Sequence, residues 1–168
     1  MAGDLRLQHF AVTEFACHSG EPYPLDRVDE GDPAGRCWAE TRLARLMNTL
    51  EAIRHGAGDE PIEILSGYRT ESYQGRLYAQ AQGSGEAVAP AATSQHPRGE
   101  AADIRHRTLS ATSLHDVVLR LFEAGKLPEL GGLGLYVRGG FIHVDVRKRI
   151  PADHLAHWNG DRTATRVA

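Results

Sequence analysis

Between Trp38 and His55, apolar residues recur in steps of three and four at Leu43, Leu46, Met47, Leu50 and Ile53. That spacing puts them on one face of a helix, and Gly56 supplies its stop. A second helix is predicted after the turn at 66–70, through about Gln82. Another is predicted over 110–124, with Leu114, Val117, Val118 and Leu121 turned inward. Between the helices the period falls to two. Residues 61–65 alternate and predict a strand that runs into the turn Ser66-Gly67-Tyr68-Arg69-Thr70. Residues 101–105 predict a second strand. Residues 131–137 and 140–146 predict two more, joined through Arg138-Gly139 as a tight hairpin.

The remaining segments lack a period. Thr13 is placed to cap a short helical turn. Residues 20–36 are rich in glycine, proline and aspartate, which predicts an irregular loop. Residues 83–95 are small and polar, a mobile loop by composition. The tail past 150 carries His154, His157 and Trp158. Its histidines read as packing or surface groups on a helical turn, with a frayed end beyond. Helices and strands mix without βαβ regularity, so the expected class is α+β, a small mainly antiparallel sheet with flanking helices.

A chain of 168 residues holds one well-buried core and is short for two, so a single domain over 1–168 is expected. Its core would span about 10–147 and its tail 150–168. The net charge of -3 argues against a nucleic-acid binder that works by neutralising phosphates. No apolar run approaches the ~18 residues of a membrane span. The first residues lack the apolar stretch of a secretory leader, which predicts a chain cytoplasmic as synthesised, with any export by a non-classical route. Cys17 and Cys37 read first as reduced thiols, then as a disulfide. A metal site with His18 comes last, because its spacing fits no common zinc knuckle. A monomer is the default expectation.

Chemistry concentrates in two short segments. Ser94-Gln95-His96-Pro97-Arg98-Gly99-Glu100-Ala101-Ala102-Asp103 brings an imidazole and a carboxylate, and Gly140-Phe141-Ile142-His143-Val144-Asp145-Val146 brings another of each. Neighbouring strands lie ~5 Å apart, so His96, Asp103 and His143 can meet on one face of a sheet. Two imidazoles and a carboxylate are the ligand set of a catalytic zinc ion with an open position. Asp145 shares the strand face of His143. It is the candidate proton acceptor, with Glu100 in reserve. Ser94 and Gln95 flank the first ligand, where they would bind substrate or hold His96 in one tautomer. Tyr68 and Tyr73 would line the cleft. Arg98, Arg105 and Arg147 are candidate partners for a substrate carboxylate.

With Ser66-Gly67-Tyr68-Arg69, and Thr13-Glu14-Phe15-Ala16-Cys17 ahead of it, these segments resemble the M15 family of zinc peptidases over roughly residues 10–147. That family includes D-Ala-D-Ala carboxypeptidases and phage endolysin peptidases. The resemblance implies the fold shared with hedgehog signalling domains and one zinc ion held by His96, Asp103 and His143. It implies hydrolysis of an amide bond in a peptidoglycan stem peptide or cross-link. It gives Arg69 a place beside the substrate, stabilising the developing oxyanion. One departure stands out: many carboxypeptidase members carry an acid three residues before the last ligand, and here that residue is Gly140. Two other classes compete. A non-catalytic zinc module would keep the fold and metal without the chemistry. A non-haem iron oxygenase would use His143 and Asp145 with a further histidine, and would need a jelly roll.

Overall fold

The computed structural model describes residues 9–84 and 94–161. A five-stranded sheet is at its centre. Its strands are β1 (Ile62–Ser66), β2 (Ala101–His106), β3 (Gly132–Tyr136), β4 (Phe141–Asp145) and β5 (Ala156–Asn159). The order across the sheet is β1-β2-β4-β3-β5. Every neighbouring pair is antiparallel except β3 and β5, which run parallel. The class is therefore α+β, as expected, with a sheet that is mixed rather than purely antiparallel.

The helices are α1 (Ala44–Gly56), α2 (Glu71–Ser84) and α3 (Ala111–Glu123). A π-helical turn, Ala39–Leu43, leads into α1. Leu43, Leu46, Met47, Leu50 and Ile53 are all buried, as their spacing requires. Gly56 ends α1 and lets α3 come close, because a Cβ there would land on Leu121. Ser110 caps α3 by accepting a hydrogen bond from the Ser113 amide at 3.1 Å. Leu114 and Val118 then face the core, with Val117 and Leu121 half-buried beside them.

Strand alternation splits the sheet into two faces. Ala102, Ile104, Leu133, Ile142 and Val144 join the core with α1 and α3. The opposite face carries Asp103 on β2, His143 and Asp145 on β4, and Gly132 and Gly134 on β3. Register sets Asp103 opposite His143 and His143 opposite Gly134. Polar side chains thus sit on one face of a sheet whose other face anchors it.

Several expectations change in detail. The hairpin turns through 137–140, with Gly140 left-handed at φ 69. The 3-10 turn at Val12–Phe15 is preceded by Ala11, so Thr13 lies within it and does not cap it. The tail forms a strand, not a helical turn. His157 and Trp158 alternate on β5, and His157 meets His115 of α3 at 2.7 Å. The period of two was masked there by a four-residue strand. Cys17 and Cys37 are both free. Most of the loop expected over 83–95, and the tail end expected to fray, lie outside the described residues.

Candidate active site

His96 is set by a turn that the surrounding residues clamp. Gly99 donates to the His96 carbonyl at 3.0 Å and adopts φ 67, where a side chain would strain the backbone. A Cβ at Gly99 would also collide with Tyr23 and Trp38. Tyr23 donates its hydroxyl to the Gly99 carbonyl at 2.8 Å, and Arg42 reaches the Arg98 carbonyl at 2.9 Å. Tyr68 packs edge-on against Tyr23 and Trp38, at 5.9 and 6.3 Å between ring centres. It belongs to the aromatic cluster that supports this turn.

His96, Asp103 and His143 are buried, and each offers one ligand atom within 4.8 Å of the others. Among the described residues this is the one such group of histidine, cysteine and acidic side chains. Hydrogen bonds fix both imidazoles. The His96 Nδ1–H donates to the Gly67 carbonyl at 2.6 Å, which leaves Nε2 facing Asp103 at 3.2 Å. His143 turns the other way round. Its Nδ1 lies 2.9 Å from the same Asp103 oxygen, and its Nε2 donates to Asp145 at 3.1 Å. Ligands ~2.0–2.1 Å from a tetrahedral ion lie roughly 3.3 Å apart, close to these separations. The donor set, the spacing and the backing of each ring all suit a single divalent ion.

Arg69 lies beside this group. Its Nε donates to Ser66 Oγ at 2.9 Å, Nη1 to Gln74 at 3.1 Å, and Nη2 to the second Asp103 oxygen at 2.6 Å. A guanidinium carries five N–H groups, so one on each terminal nitrogen is left over. Ser94 is half-buried, and Gln95 is buried at the start of the His96 turn.

Asp145 faces away from this group. A Cβ on Gly132 would overlap its carboxylate, so the carboxylate lies across β3, whereas His96 and Asp103 lie toward β2. It touches the edge of His143 opposite to the one Asp103 touches. Arg147 binds it through Nε at 2.8 Å and Nη2 at 2.5 Å, and by its backbone amide at 3.1 Å. Burial alone would raise the Asp145 pKa, but the bonds from His143 and Arg147 hold it at about 2. A buried carboxylate of that pKa makes a poor proton acceptor and a strong support for a ring N–H. Glu100 precedes Ala101 and points to the other side of β2, where Arg45 is 3.9 Å away. Burial raises its pKa.

Other candidates fall elsewhere. Arg105 pairs with Glu63 on the exposed sheet edge and Arg147 is held by Asp145, so two of the three arginines expected to meet a substrate carboxylate are engaged. Tyr73 is half-buried near His18, 6.5 Å between ring centres. Three roles at the site were not legible in the sequence: Arg147 as the clamp on Asp145, Trp158 with its ring 5.2 Å from that of His143, and Tyr136 beside it. The face itself did carry a signal. Glycine at alternate strand positions, Gly132 and Gly134, marks a face where other groups press close. A Cβ at Gly134 would strike the Trp158 indole.

Residues 8–145 match the Peptidase M15 family, and the chain belongs to it. It is similar to the peptidoglycan L,D-endopeptidase MepK of Escherichia coli, 25% identical over 157 residues that cover 82% of this chain and 75% of the relative. MepK of Shigella flexneri gives the same figures, 25% identity with 82% and 75% covered. Family membership turns the iron oxygenase reading aside. So does the geometry, because Asp145 binds the far nitrogen of His143 and the sheet has five strands rather than a jelly roll.

The pH dependence of metal uptake follows from His143. Burial lowers its pKa, but hydrogen bonds and charge from Asp103 and Asp145 outweigh that and lift it to about 9. Burial also lowers His96, which is therefore neutral at pH 7. In the metal-free protein His143 is protonated at neutral pH, and a metal at Nδ1 must displace that proton. Apparent zinc affinity is expected to rise about tenfold per pH unit from 7 to 8.5 and to level off above 9. Competition with a chromophoric chelator at pH 7 and pH 8 measures it. Equal affinities at both would show that no proton leaves His143.

Proposed function

We propose that this chain is a zinc-dependent peptidase that hydrolyses an amide bond in peptidoglycan stem peptides or cross-links, cutting within the peptide. The observation that carries the reading is the convergence of His96 Nε2, Asp103 and His143 Nδ1, with each imidazole backed by its own acceptor. The peptidoglycan endopeptidase among its relatives supports the substrate class and the internal cut. Engagement of Arg105 and Arg147 with protein carboxylates leaves less to recognise a chain-terminal carboxylate, which agrees.

Zinc held there would supply Lewis acidity and bring the pKa of water toward ~7. The protein supplies placement. Arg69, fixed by Ser66, Gln74 and Asp103, turns its two unspent N–H groups to the carbonyl oxygen as negative charge builds on it. Water oxygen bonds to the carbonyl carbon, the carbon–nitrogen bond breaks, and the amine departs with a proton from that water. Asp145 holds the His143 ring in the tautomer that presents Nδ1, which makes it a positioning residue in place of the expected proton acceptor. Ser94 and Gln95 border the substrate beside His96.

The test is metal analysis of the purified protein, followed by incubation with purified sacculi and muropeptides and mass analysis of the products. One zinc per chain and products of an internal cut are expected. Release of a single terminal alanine would reassign the enzyme as a carboxypeptidase. Bound zinc with no cleavage would make the domain a non-catalytic zinc module.

A further inference from the structure

Tyr136 ends β3 on the same face as Gly134, the residue opposite His143. Its ring is held on three sides. Phe141 stacks on it at 4.6 Å and 11°. The backbone at Gly160 presses against its edge, where a Cβ would overlap the ring. Trp158, which lies over Gly134 and beside the His143 ring, donates its indole N–H to the Tyr136 hydroxyl at 3.1 Å.

The last contact decides what the phenol can do. Indole N–H is a donor only, so the Tyr136 oxygen accepts there and its own hydrogen remains to be given. Asp103 and Arg69 are near enough for their charges to act on the phenol. Burial keeps it protonated, so at neutral pH it is a donor. In the order β1-β2-β4-β3-β5, Arg69 comes from the β1 end and Tyr136 from the β3–β5 side, with the His96, Asp103 and His143 group between them. A carbonyl brought to that group would have a guanidinium on one flank and a phenol on the other.

We propose that Tyr136 is a catalytic residue that donates its hydroxyl hydrogen bond to the oxygen of the scissile carbonyl as that oxygen gains charge, from the side opposite Arg69. No proton is transferred in this role. Trp158 is its positioning residue, since the indole N–H fills an acceptor position of the phenol oxygen and leaves the hydroxyl hydrogen to be given elsewhere. The proposal rests on the peptidase reading above.

The experiment compares wild type with Tyr136→Phe and Trp158→Phe on the muropeptide that the wild type cleaves. Zinc content, thermal unfolding, kcat and KM are measured, with inhibition by a phosphinate analogue of the bond cut. Tyr136→Phe keeps the stack on Phe141 and loses only the hydroxyl. It is expected to lower kcat about 100-fold and weaken the phosphinate by a similar factor, with zinc content and KM within twofold of wild type. Trp158→Phe should show a smaller loss in the same direction. A Tyr136→Phe enzyme with kcat and phosphinate affinity within twofold of wild type would overturn the proposal. So would a loss accompanied by departed zinc or a lowered unfolding temperature, which would assign Tyr136 to packing. If the wild type binds zinc and cleaves nothing, the peptidase reading itself fails, an outcome distinct from a silent Tyr136→Phe.

Discussion

Asp103→Ala is expected to abolish zinc binding and hydrolysis together, and to cost about 3–5 kcal/mol of stability in the metal-free protein. The two effects have separate causes. One Asp103 oxygen lies between the His96 and His143 nitrogens, 3.2 and 2.9 Å away, so its removal takes the central donor from the candidate metal group. The other oxygen accepts from Arg69 at 2.6 Å. Both side chains are mostly buried, at 16% and 11% exposure, so solvent cannot replace the lost partner. Stranding a buried charge is what makes such a substitution expensive. Metal analysis and muropeptide turnover read the first effect. Denaturant unfolding of metal-stripped wild type and variant reads the second. A variant that loses zinc with unchanged unfolding would show that Arg69 finds another partner. In that case the Ser66 and Gln74 contacts alone must fix the guanidinium.

Asp103 also shows how far the sequence carries. Its spacing from His96, with Gly99 and Ala101 between, made the candidate metal group readable because each residue has a local reason to be there. Gly99 takes a left-handed turn against Tyr23 and Trp38, and alternation then brings Asp103 to the face of His143. Helix α1 was readable for the same kind of reason, since its buried residues are set by the helical period alone. Two things were hidden. Strand β5 is short and pairs in parallel with β3 across the sheet, a contact that no local pattern encodes. Trp158 reaches the site only through that pairing, and through it meets the Tyr136 hydroxyl. The second was direction. On a strand, His143 and Asp145 share a face, but a shared face does not say which neighbouring strand a side chain leans over. Asp145 leans over Gly132, away from Asp103. From sequence, proton acceptor and ring support look alike; the carboxylate's place over Gly132 favours ring support.

Asp145→Asn measures that distinction. The carboxylate accepts from the His143 Nε2–H, from two guanidinium nitrogens of Arg147 and from its backbone amide. Asparagine keeps one oxygen and turns an N–H₂ toward one of those donors, so the clamp on Arg147 or the support of His143 must go. Loss of such an outer partner lowers metal affinity ~10–100-fold. At limiting zinc, Asp145→Asn should therefore look inactive. With free zinc buffered well above its weakened dissociation constant, kcat is expected to return to within about threefold of wild type if Asp145 acts only as the support of the His143 ring. The pH profile of kcat should then match that of wild type. A proton acceptor behaves otherwise: its loss leaves kcat down by roughly 10²–10⁴ however much zinc is present. Titrating activity against buffered zinc separates the two. A kcat that stays low at full zinc occupancy would restore Asp145 as the base and require its carboxylate to leave Gly132 and Arg147 during turnover.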